Sequence, residues 1–213
     1  MVHTQFFPPI GLSGAAGVGK DTLCQVLLDL FKECPAKRYS VAGDFIKNDL
    51  DQLLQKTIGI SAFTTNAEEK TNIRPLLVEY GRLMRNQTKG RYFIEKLEND
   101  INFGHQCIPI ITDIRYAEYE RDELFWLKNE KNGLLVFLDR EGIEPANEFE
   151  EKNNILLRNN CSLYFKVRSA SDYISVLTPI AEKIIKSYKT FTTSLLDSAQ
   201  LLNMFYQTDS IRT

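Results

Sequence analysis

The feature that most constrains this chain is a glycine-rich stretch near its N-terminus that ends in a lysine. It reads Gly14-Ala15-Ala16-Gly17-Val18-Gly19-Lys20-Asp21-Thr22. Glycines at this spacing let successive backbone N–H groups turn toward one anion, and the helix that follows adds its positive N-terminal end. A lysine at the end of such a loop reaches the β- and γ-phosphates as a point charge. The stretch therefore predicts a nucleoside triphosphate site in which Lys20 is catalytic.

The end of the loop departs from the commonest form of this pattern. In that form a Ser or Thr directly follows the lysine, where its hydroxyl meets Mg²⁺. Here Asp21 occupies that position and Thr22 comes one residue later. We expect ATP and Mg²⁺ as cofactors, with Asp21 and Thr22 in the nucleotide-binding loop and Thr22 as a metal ligand.

The residues on either side of the loop have the pattern that such a motif requires. Before it, Ile10-Gly11-Leu12-Ser13 is short and apolar enough for a buried first strand. After it, apolar residues recur at helical spacing, at Leu23, Val26, Leu27, Leu30 and Phe31. The order is strand, glycine loop, helix. This context favours a phosphate site over the alternative, a strand-to-helix turn that binds nothing.

Composition indicates one ordinary α/β domain. The chain has 213 residues, of which 43% are hydrophobic and 25% charged, and its net charge is -2. Such a charge gives no general attraction to nucleic acid or anionic lipid, so we expect neither as a partner. No stretch approaches the roughly 20 apolar residues that span a bilayer, and the N-terminus lacks the pattern of a signal peptide.

The cysteines and histidines exclude several other kinds of site. Four cysteines lie far apart in the chain, without a Cys-x-x-Cys pair, which predicts reduced thiols and a cytoplasmic location. The two histidines, His3 and His105, are interpreted as surface residues. Histidine-based catalysis and a histidine zinc site are therefore disfavoured.

Four further apolar segments are interpreted as strands, with helical patterns between them that indicate parallel crossovers. They are residues 38–42, 107–112, 134–138 and 163–167. We expect a three-layer P-loop fold, in which a five-stranded parallel sheet carries helices on both faces. Roughly 65 residues separate the second and third strands, far more than a minimal crossover needs. This length predicts an inserted helical region, residues 43–105, that binds a second substrate.

Helical periodicity recurs in five later segments, residues 45–55, 73–86, 92–101, 116–131 and 171–188. The charged stretch 140–160 begins with a glycine and a proline, as a lid-like flap does. We assign residues 1–190 to the domain and 191–213 to a C-terminal helical extension. The extension has an apolar stripe, at Leu195, Leu196, Ala199, Leu202 and Phe205. Such a stripe is suited to docking on the domain or on a second subunit, so a homodimer is one expectation.

Three arginines in the inserted region share a calculated helix face. Arg74, Arg82 and Arg85 fall at roughly 0°, 80° and 20° around a helix. The apolar residues Leu76, Leu77, Tyr80, Leu83 and Met84 occupy a separate arc. The guanidinium fork binds phosphate oxygens in pairs, so we expect these arginines to hold an acceptor phosphate. The alternative is a solvated surface face.

An acid and an arginine stand just past the carboxyl end of the predicted strand 107–112. In open α/β sheets this edge is where ligands bind. Asp113 is suited to positioning Mg²⁺, directly or through water, and Arg115 to neutralising transferred charge as a catalytic residue. The alternative is that Asp113 caps the next helix and Arg115 forms a surface ion pair with Glu118 or Glu120.

Other charged residues follow the remaining strands. Arg140 comes directly after a strand and is our first choice for a catalytic lid arginine; Arg158 is the second, and Arg168 comes later. Asp44 and Lys47 open the second helix. Asp44 in a first helical turn is ordinarily a cap, and contact of both residues with the second substrate is the other expectation.

Several segments together resemble the phage-type deoxynucleoside monophosphate kinases. The Gly-Lys-Asp-Thr ending of the loop is similar to theirs, and Ala42-Gly43-Asp44-Phe45-Ile46-Lys47 is similar to their Ala-Asp-Pro-Leu-Lys region. Residues 76–85 match their Leu-Leu-Gln-x-Leu-Gly-Thr-Glu-x-x-Arg helix at Leu76, Leu77, Gly81 and Arg85. Thr112-Asp113-Ile114-Arg115 resembles their Ser-Asp-Val-Arg segment, and Phe137-Leu138-Asp139-Arg140 resembles their entry to the lid.

The resemblance implies transfer of the γ-phosphate of ATP to a deoxynucleoside monophosphate, with Mg²⁺ and without a covalent enzyme intermediate. The chain departs from the family at two places. Gly43 is an additional residue and the expected proline is absent, and Asn147-Glu148-Phe149-Glu150 stands where the family shows His-x-Ser-Glu. Two rival functions stay open. One is a P-loop kinase for a non-nucleotide acceptor such as dephospho-coenzyme A or phosphomevalonate, and the other is a nucleotide-binding module without turnover.

Overall fold

Five parallel strands form the sheet around which the chain is built. The computed structural model describes residues 7–32, 34–101, 107–170 and 172–209, with the backbone alone from residue 196 onward. The strands are β1 (Ile10–Ser13), β2 (Ala36–Tyr39), β3 (Ile108–Ile111), β4 (Leu134–Arg140) and β5 (Leu163–Val167). Their spatial order is β2-β3-β1-β4-β5, and every neighbouring pair is parallel. The predicted fold class is confirmed.

The helices account for most of the remaining chain. They are α1 (Lys20–Leu30), α2 (Gly43–Ile58), α3 (Ala67–Thr88), α4 (Arg91–Asp100), the short α5 (Glu123–Phe125), α6 (Glu148–Asn159) and α7 (Tyr173–Asp209). One π-helical turn, Trp126–Glu130, continues α5. Among the described residues, no helix is both long and apolar enough to cross a membrane. His3, His105 and the side chains of the predicted C-terminal stripe beyond Leu195 lie outside the described part of the structure.

Helices cover both faces of the sheet because successive strand residues point to opposite sides. On one face, Ile10 and Leu12 of β1 join a buried core with apolar residues of α1 and α7. Gly11, between them, lies against Leu127 of the π-helical turn on the other face. There α4, the π-helical turn and α6 cover β3 and β4. The predicted three layers are present.

A separate apolar cluster joins α2 to α3 beyond the edge of the sheet. Its buried members are Leu50, Leu54, Ala62 and Ile73. Gly81 lets the two helices approach, because a Cβ there would lie 2.8 Å from a methyl group of Ile46. The predicted apolar arc of α3 is wrong in part: Leu83 is 50% exposed, whereas Arg85 is buried. The face of α3 that packs in the structure is therefore rotated from the face that the apolar residues alone indicate.

Residues 116–131 form less helix than the sequence predicts. The chain from 113 to 118 is irregular, and helical structure begins only at Glu123. Two carboxylates bind the backbone amides of this segment: Asp122 accepts hydrogen bonds from the amides of Glu118 and Tyr119, and Glu123 accepts from those of Arg115 and Tyr116. Side-chain acceptors of this kind compete with helix formation and hold the segment in turns.

Other elements also begin or end at residues that differ from the predicted ones. Strand β2 lies two residues earlier than predicted at its start, and α6 fills most of the predicted flap 140–160. The last helix, α7, passes through residue 190 without a break. The four cysteines are free thiols, as expected.

A buried ion cluster ties α3 to the segment after β3. Arg85 is 4% exposed, and its guanidinium lies 2.8 Å from Asp122 and 3.0 Å from Glu123. The Tyr116 ring covers it, with 3.5 Å between the guanidinium carbon and the ring centroid. Burial raises the pKa of Glu123 to about 8, although Arg85 opposes this rise. Arg85 therefore has two buried carboxylate partners, Asp122 and Glu123.

Replacing Arg85 by Ala should lower the free energy of unfolding by about 3–5 kcal/mol, because the buried side chains of Asp122 and Glu123 would lose their cationic partner. Denaturant unfolding measures the change. Arg82→Ala is the matched control on the same helix: Arg82 is exposed and, among the described residues, forms its ion pair with Glu79 of α3, so its loss should leave the free energy of unfolding nearly unchanged. Equal unfolding midpoints for the two variants would contradict the structural role of Arg85.

Candidate functional site

A cavity of about 310 Å³ opens at the carboxyl ends of β1, β2 and β3. This is the edge of a parallel sheet where ligands are expected. Four segments form its wall: the glycine loop with the start of α1, the end of β2, the start of α2, and the chain after β3. The lining residues are Ala16, Gly17, Gly19, Lys20, Asp21, Thr22, Arg38, Ser40, Gly43, Asp44, Lys47, Thr112, Asp113 and Arg115.

The loop has the backbone geometry that its glycines permit. Gly14, Gly17 and Gly19 have φ angles of 128°, 84° and 99°, a region that other residues rarely adopt. A Cβ on Gly14 would lie 2.1 Å from the carbonyl oxygen of Leu138, whereas a Cβ on Gly17 would meet nothing within 4 Å. Gly14 is therefore required by close backbone packing against β4, and Gly17 by its conformation alone.

Lys20 is folded back over this loop. Its amine donates hydrogen bonds to the carbonyl oxygens of Gly14 and Ala15, at 2.6 and 2.8 Å, and the side chain is 7% exposed. Burial lowers the pKa of Lys20 to about 8, and the positive charge of Arg115 adds to this effect. A buried amine under these conditions is stabilised in its charged form by an anion placed beside it.

Three observations indicate that the loop is suited to bind a polyphosphate. Gly17 has open space where a side chain would be, Lys20 is placed at the end of the loop, and Ser13, which directly precedes the loop, has a fully buried hydroxyl oxygen without a hydrogen-bond partner within the described structure. A buried polar atom of this kind is uncommon in proteins, and a bound water or ion is one explanation for it. These three features suit an anion, and the nucleotide-binding role of the loop stays a prediction.

Asp113 organises the opposite side of the cavity. Its carboxylate accepts hydrogen bonds from the Ser40 hydroxyl at 2.9 Å and from the amides of Val41, Ala42 and Gly43 at 2.6, 3.3 and 3.2 Å. The side chain therefore caps α2, rather than the next helix along the chain, which was the alternative to metal binding. Both carboxylate oxygens have protein donors.

The sequence analysis expects Thr22 and Asp113 to bind Mg²⁺. Both residues line the cavity, as the sequence predicts for the two Mg²⁺ ligands. Within the described residues, no group of three His, Cys, Asp or Glu side chains is placed to hold a metal ion by itself. A site with few protein ligands suits Mg²⁺, which keeps several waters and is usually shared with phosphate oxygens. Their metal role stays a prediction.

Arg38 joins the two sides of the cavity and is a residue that the sequence interpretation missed. Its guanidinium lies 3.0 Å from Asp44 of α2 and 3.5 Å from Asp21 of α1. The predicted second strand began at residue 38, which placed Arg38 at the far end of the strand from the loop. The true strand ends at Tyr39, so Arg38 stands at the ligand edge. An accurate strand register would have identified it.

The structure brings some predicted site residues together and separates others. Asp44, Lys47, Asp113 and Arg115 line the same cavity as the loop. Arg74, Arg82 and Arg85 do not line it, and they do not form one exposed cationic face, since Arg74 and Arg82 are exposed and Arg85 is buried. The acceptor role predicted for these three arginines has no geometric support in the arrangement of this cavity.

The lid arginines lie on the other side of the loop. Arg140 and Arg158 line a second cavity of about 350 Å³ that reaches Ala15. The Arg140 guanidinium is 4.2 Å from the centroid of the Tyr173 ring and donates a hydrogen bond to Ser169. Arg168 is exposed. Arg140 thus lies in a cavity that reaches the loop but outside the first cavity, and its catalytic role stays a prediction.

Comparisons with known proteins add little to this geometry. No protein-family model matches the chain, and no curated protein matches it. Among solved structures, the chain is similar to dephospho-CoA kinase from Campylobacter jejuni, with a TM-score of 0.37 and 9% sequence identity over 84% of this chain and 95% of that one.

Two of the three loop glycines, Gly14 and Gly17, provide a test of the loop geometry. Gly17→Ala should lower the free energy of unfolding by about 1–2 kcal/mol, which is the cost of a left-handed conformation for a residue with a Cβ. Gly14→Ala should lower it further, because the new methyl group also meets the Leu138 carbonyl. Thermal unfolding followed by circular dichroism gives both values. Equal losses in the two variants would show that the contact between Gly14 and β4 is misplaced.

Proposed function

We propose that this chain is a P-loop kinase that transfers the γ-phosphate of ATP to a nucleoside monophosphate. The proposal is based on the composition of the first cavity. The glycine loop and Lys20 form one of its walls, and Arg38, Lys47 and Arg115 lie on the other walls. Phosphoryl transfer needs a donor site and an acceptor site that share one space, with positive charge around it. The loop on one wall and the cations on the other walls support this assignment.

The donor side is formed by the loop and the start of α1. Backbone amides of residues 14–19 would hold the phosphates, and Lys20 would exchange its two carbonyl acceptors for phosphate oxygens. Mg²⁺, when bound, neutralises charge on these phosphates, and Thr22 and Asp113 are the residues proposed to hold it or its waters.

The acceptor side is formed by side chains rather than by a helix N-terminus. The first amides of α2 already have protein acceptors, since those of Ala42 and Gly43 bind Asp113 and that of Asp44 binds the Ser40 hydroxyl. An acceptor phosphate must therefore be held by the nearby cations, Arg38, Lys47 and Arg115. This assignment replaces the three α3 arginines as acceptor ligands.

The chemistry in this arrangement is positioning and charge stabilisation. The transferred group spreads negative charge over three oxygens, and fixed cations in a partly enclosed cavity stabilise that charge. Arg115 lies close enough to Lys20 to lower its pKa, so the two cations flank the same space. In-line transfer between the two sides needs no covalent enzyme intermediate.

A panel of acceptors tests the activity. We expect phosphate transfer from ATP with Mg²⁺ to at least one deoxynucleoside monophosphate, measured directly by separating the products. Dephospho-coenzyme A and phosphomevalonate in the same panel distinguish the rival acceptor class. Lys20→Ala should reduce kcat about 10²–10³-fold while circular dichroism shows an unchanged fold. Only background transfer with every acceptor would reject the kinase and favour a module that binds nucleotide without turnover.

The acceptor ligands are tested by a second set of variants. Arg38→Ala and Lys47→Ala should each raise KM for the acceptor about 10- to 100-fold, the effect of losing one charge-assisted hydrogen bond, with a smaller effect on KM for ATP. Arg82→Ala is the control, because Arg82 is exposed and does not line the cavity. If Arg82→Ala alone weakened acceptor binding, the acceptor would bind on α3, as the sequence analysis predicts.

A further inference from the structure

A carboxylate from α6 reaches into the glycine loop. Glu150, in the first turn of α6, accepts a hydrogen bond from the Ala16 amide at 3.1 Å through one oxygen and from the Ala146 amide at 2.6 Å through the other. Ala16 is in the middle of the loop whose amides would hold phosphate, and it lines the first cavity. Glu150 thus connects the segment before α6 to the anion site.

The Glu150 carboxylate therefore occupies a backbone amide that the proposed function assigns to phosphate. A carboxylate and a phosphate both accept hydrogen bonds from backbone amides through charged oxygens, so they compete for the same donor. Glu150 also acts on Lys20, whose pKa its charge raises against the lowering effect of burial. Two groups that define the loop, the Ala16 amide and the Lys20 amine, therefore interact with this one side chain.

The first turn of α6 is less buried than the rest of the helix. Leu157 is fully buried in the core, and Asn153 accepts a hydrogen bond from the Ala117 amide at 3.0 Å. By contrast, residues 146–149 are exposed, and Phe149 is 43% exposed. A movement of the first turn would have to break the contact between the Phe149 and Tyr116 rings, whose centroids are 5.8 Å apart, but not the burial of Leu157.

We propose that Glu150 is an internal competitor of polyphosphate at the Ala16 amide, so that nucleotide binding requires this carboxylate to withdraw and the first turn of α6 to move with it. The inference rests on the proposed function, since it takes the loop to be a phosphate site. It makes Glu150 a residue that sets the affinity for nucleotide and links the loop to the segment before α6. The alternative is that Glu150 serves only to cap α6, together with Asn147.

Calorimetric titration of the full chain with sodium tripolyphosphate, and then with ATP, tests the proposal without turnover. Glu150→Gln removes the charge and keeps an oxygen acceptor, and it should bind both ligands about five- to tenfold more tightly than the unchanged protein. Glu148→Gln is the matched control, because Glu148 is an exposed residue of the same turn and the substitution removes the same charge. We expect less than a twofold change for it.

A second Glu150 variant and a hydrogen-exchange measurement test the same proposal independently. Glu150→Asp keeps the charge and withdraws the oxygens by one methylene, so it should also bind more tightly, and it serves if the Gln variant does not fold. Hydrogen exchange of residues 146–151 should rise in the unchanged protein when tripolyphosphate is added.

Equal or weaker binding by both Glu150 variants, or equal gains in the Glu148 control, would overturn the competitor role while leaving the loop a phosphate site. Absence of tripolyphosphate and ATP binding in every protein, the unchanged one included, would instead reject the proposed function and this inference with it.

Discussion

The site depends on the hydrogen bonds that Asp113 accepts from the turn between β2 and α2. One carboxylate at the end of β3 receives the amides of Val41, Ala42 and Gly43 and the Ser40 hydroxyl. These bonds fix where α2 begins, and so fix the positions of its cavity residues relative to the glycine loop. In a parallel sheet the strands deliver their carboxyl ends to one edge, but a specific contact is needed to orient the segment after each strand. Asp113 provides that contact.

The sequence predicts the parts of the site that depend on local chemistry. Glycine spacing, a terminal lysine and a strand-to-helix context identify the loop, because a phosphate cradle requires those residue types close together in the chain. The same holds for Asp113 and Arg115, which come directly after an apolar strand and do line the cavity. The five-stranded parallel sheet also follows from the alternation of apolar strands and amphipathic helices.

The sequence analysis misplaces residues whose positions depend on contacts with distant parts of the chain. Helical periodicity places Arg85 beside Arg74 and Arg82, but it contains no information on Asp122, which lies 37 residues later and receives the guanidinium in the core. A two-residue error in the start of β2 concealed Arg38 in the same way, because strand register is set by pairing with β3. Burial of a cation and register of a strand are both decided by partners that a single sequence does not reveal.

The contact between Tyr173 and the glycine loop has a consequence for how the protein is made. The Tyr173 hydroxyl donates a hydrogen bond to the carbonyl oxygen of Val18 at 2.6 Å, across 155 residues of chain, and its ring lies against Gly19. The loop leaves the ribosome soon after β1, whereas Tyr173 comes only after β5. During synthesis, the glycine loop therefore precedes the whole sheet, and Tyr173, which contacts the loop in the folded protein, is added only after the last strand.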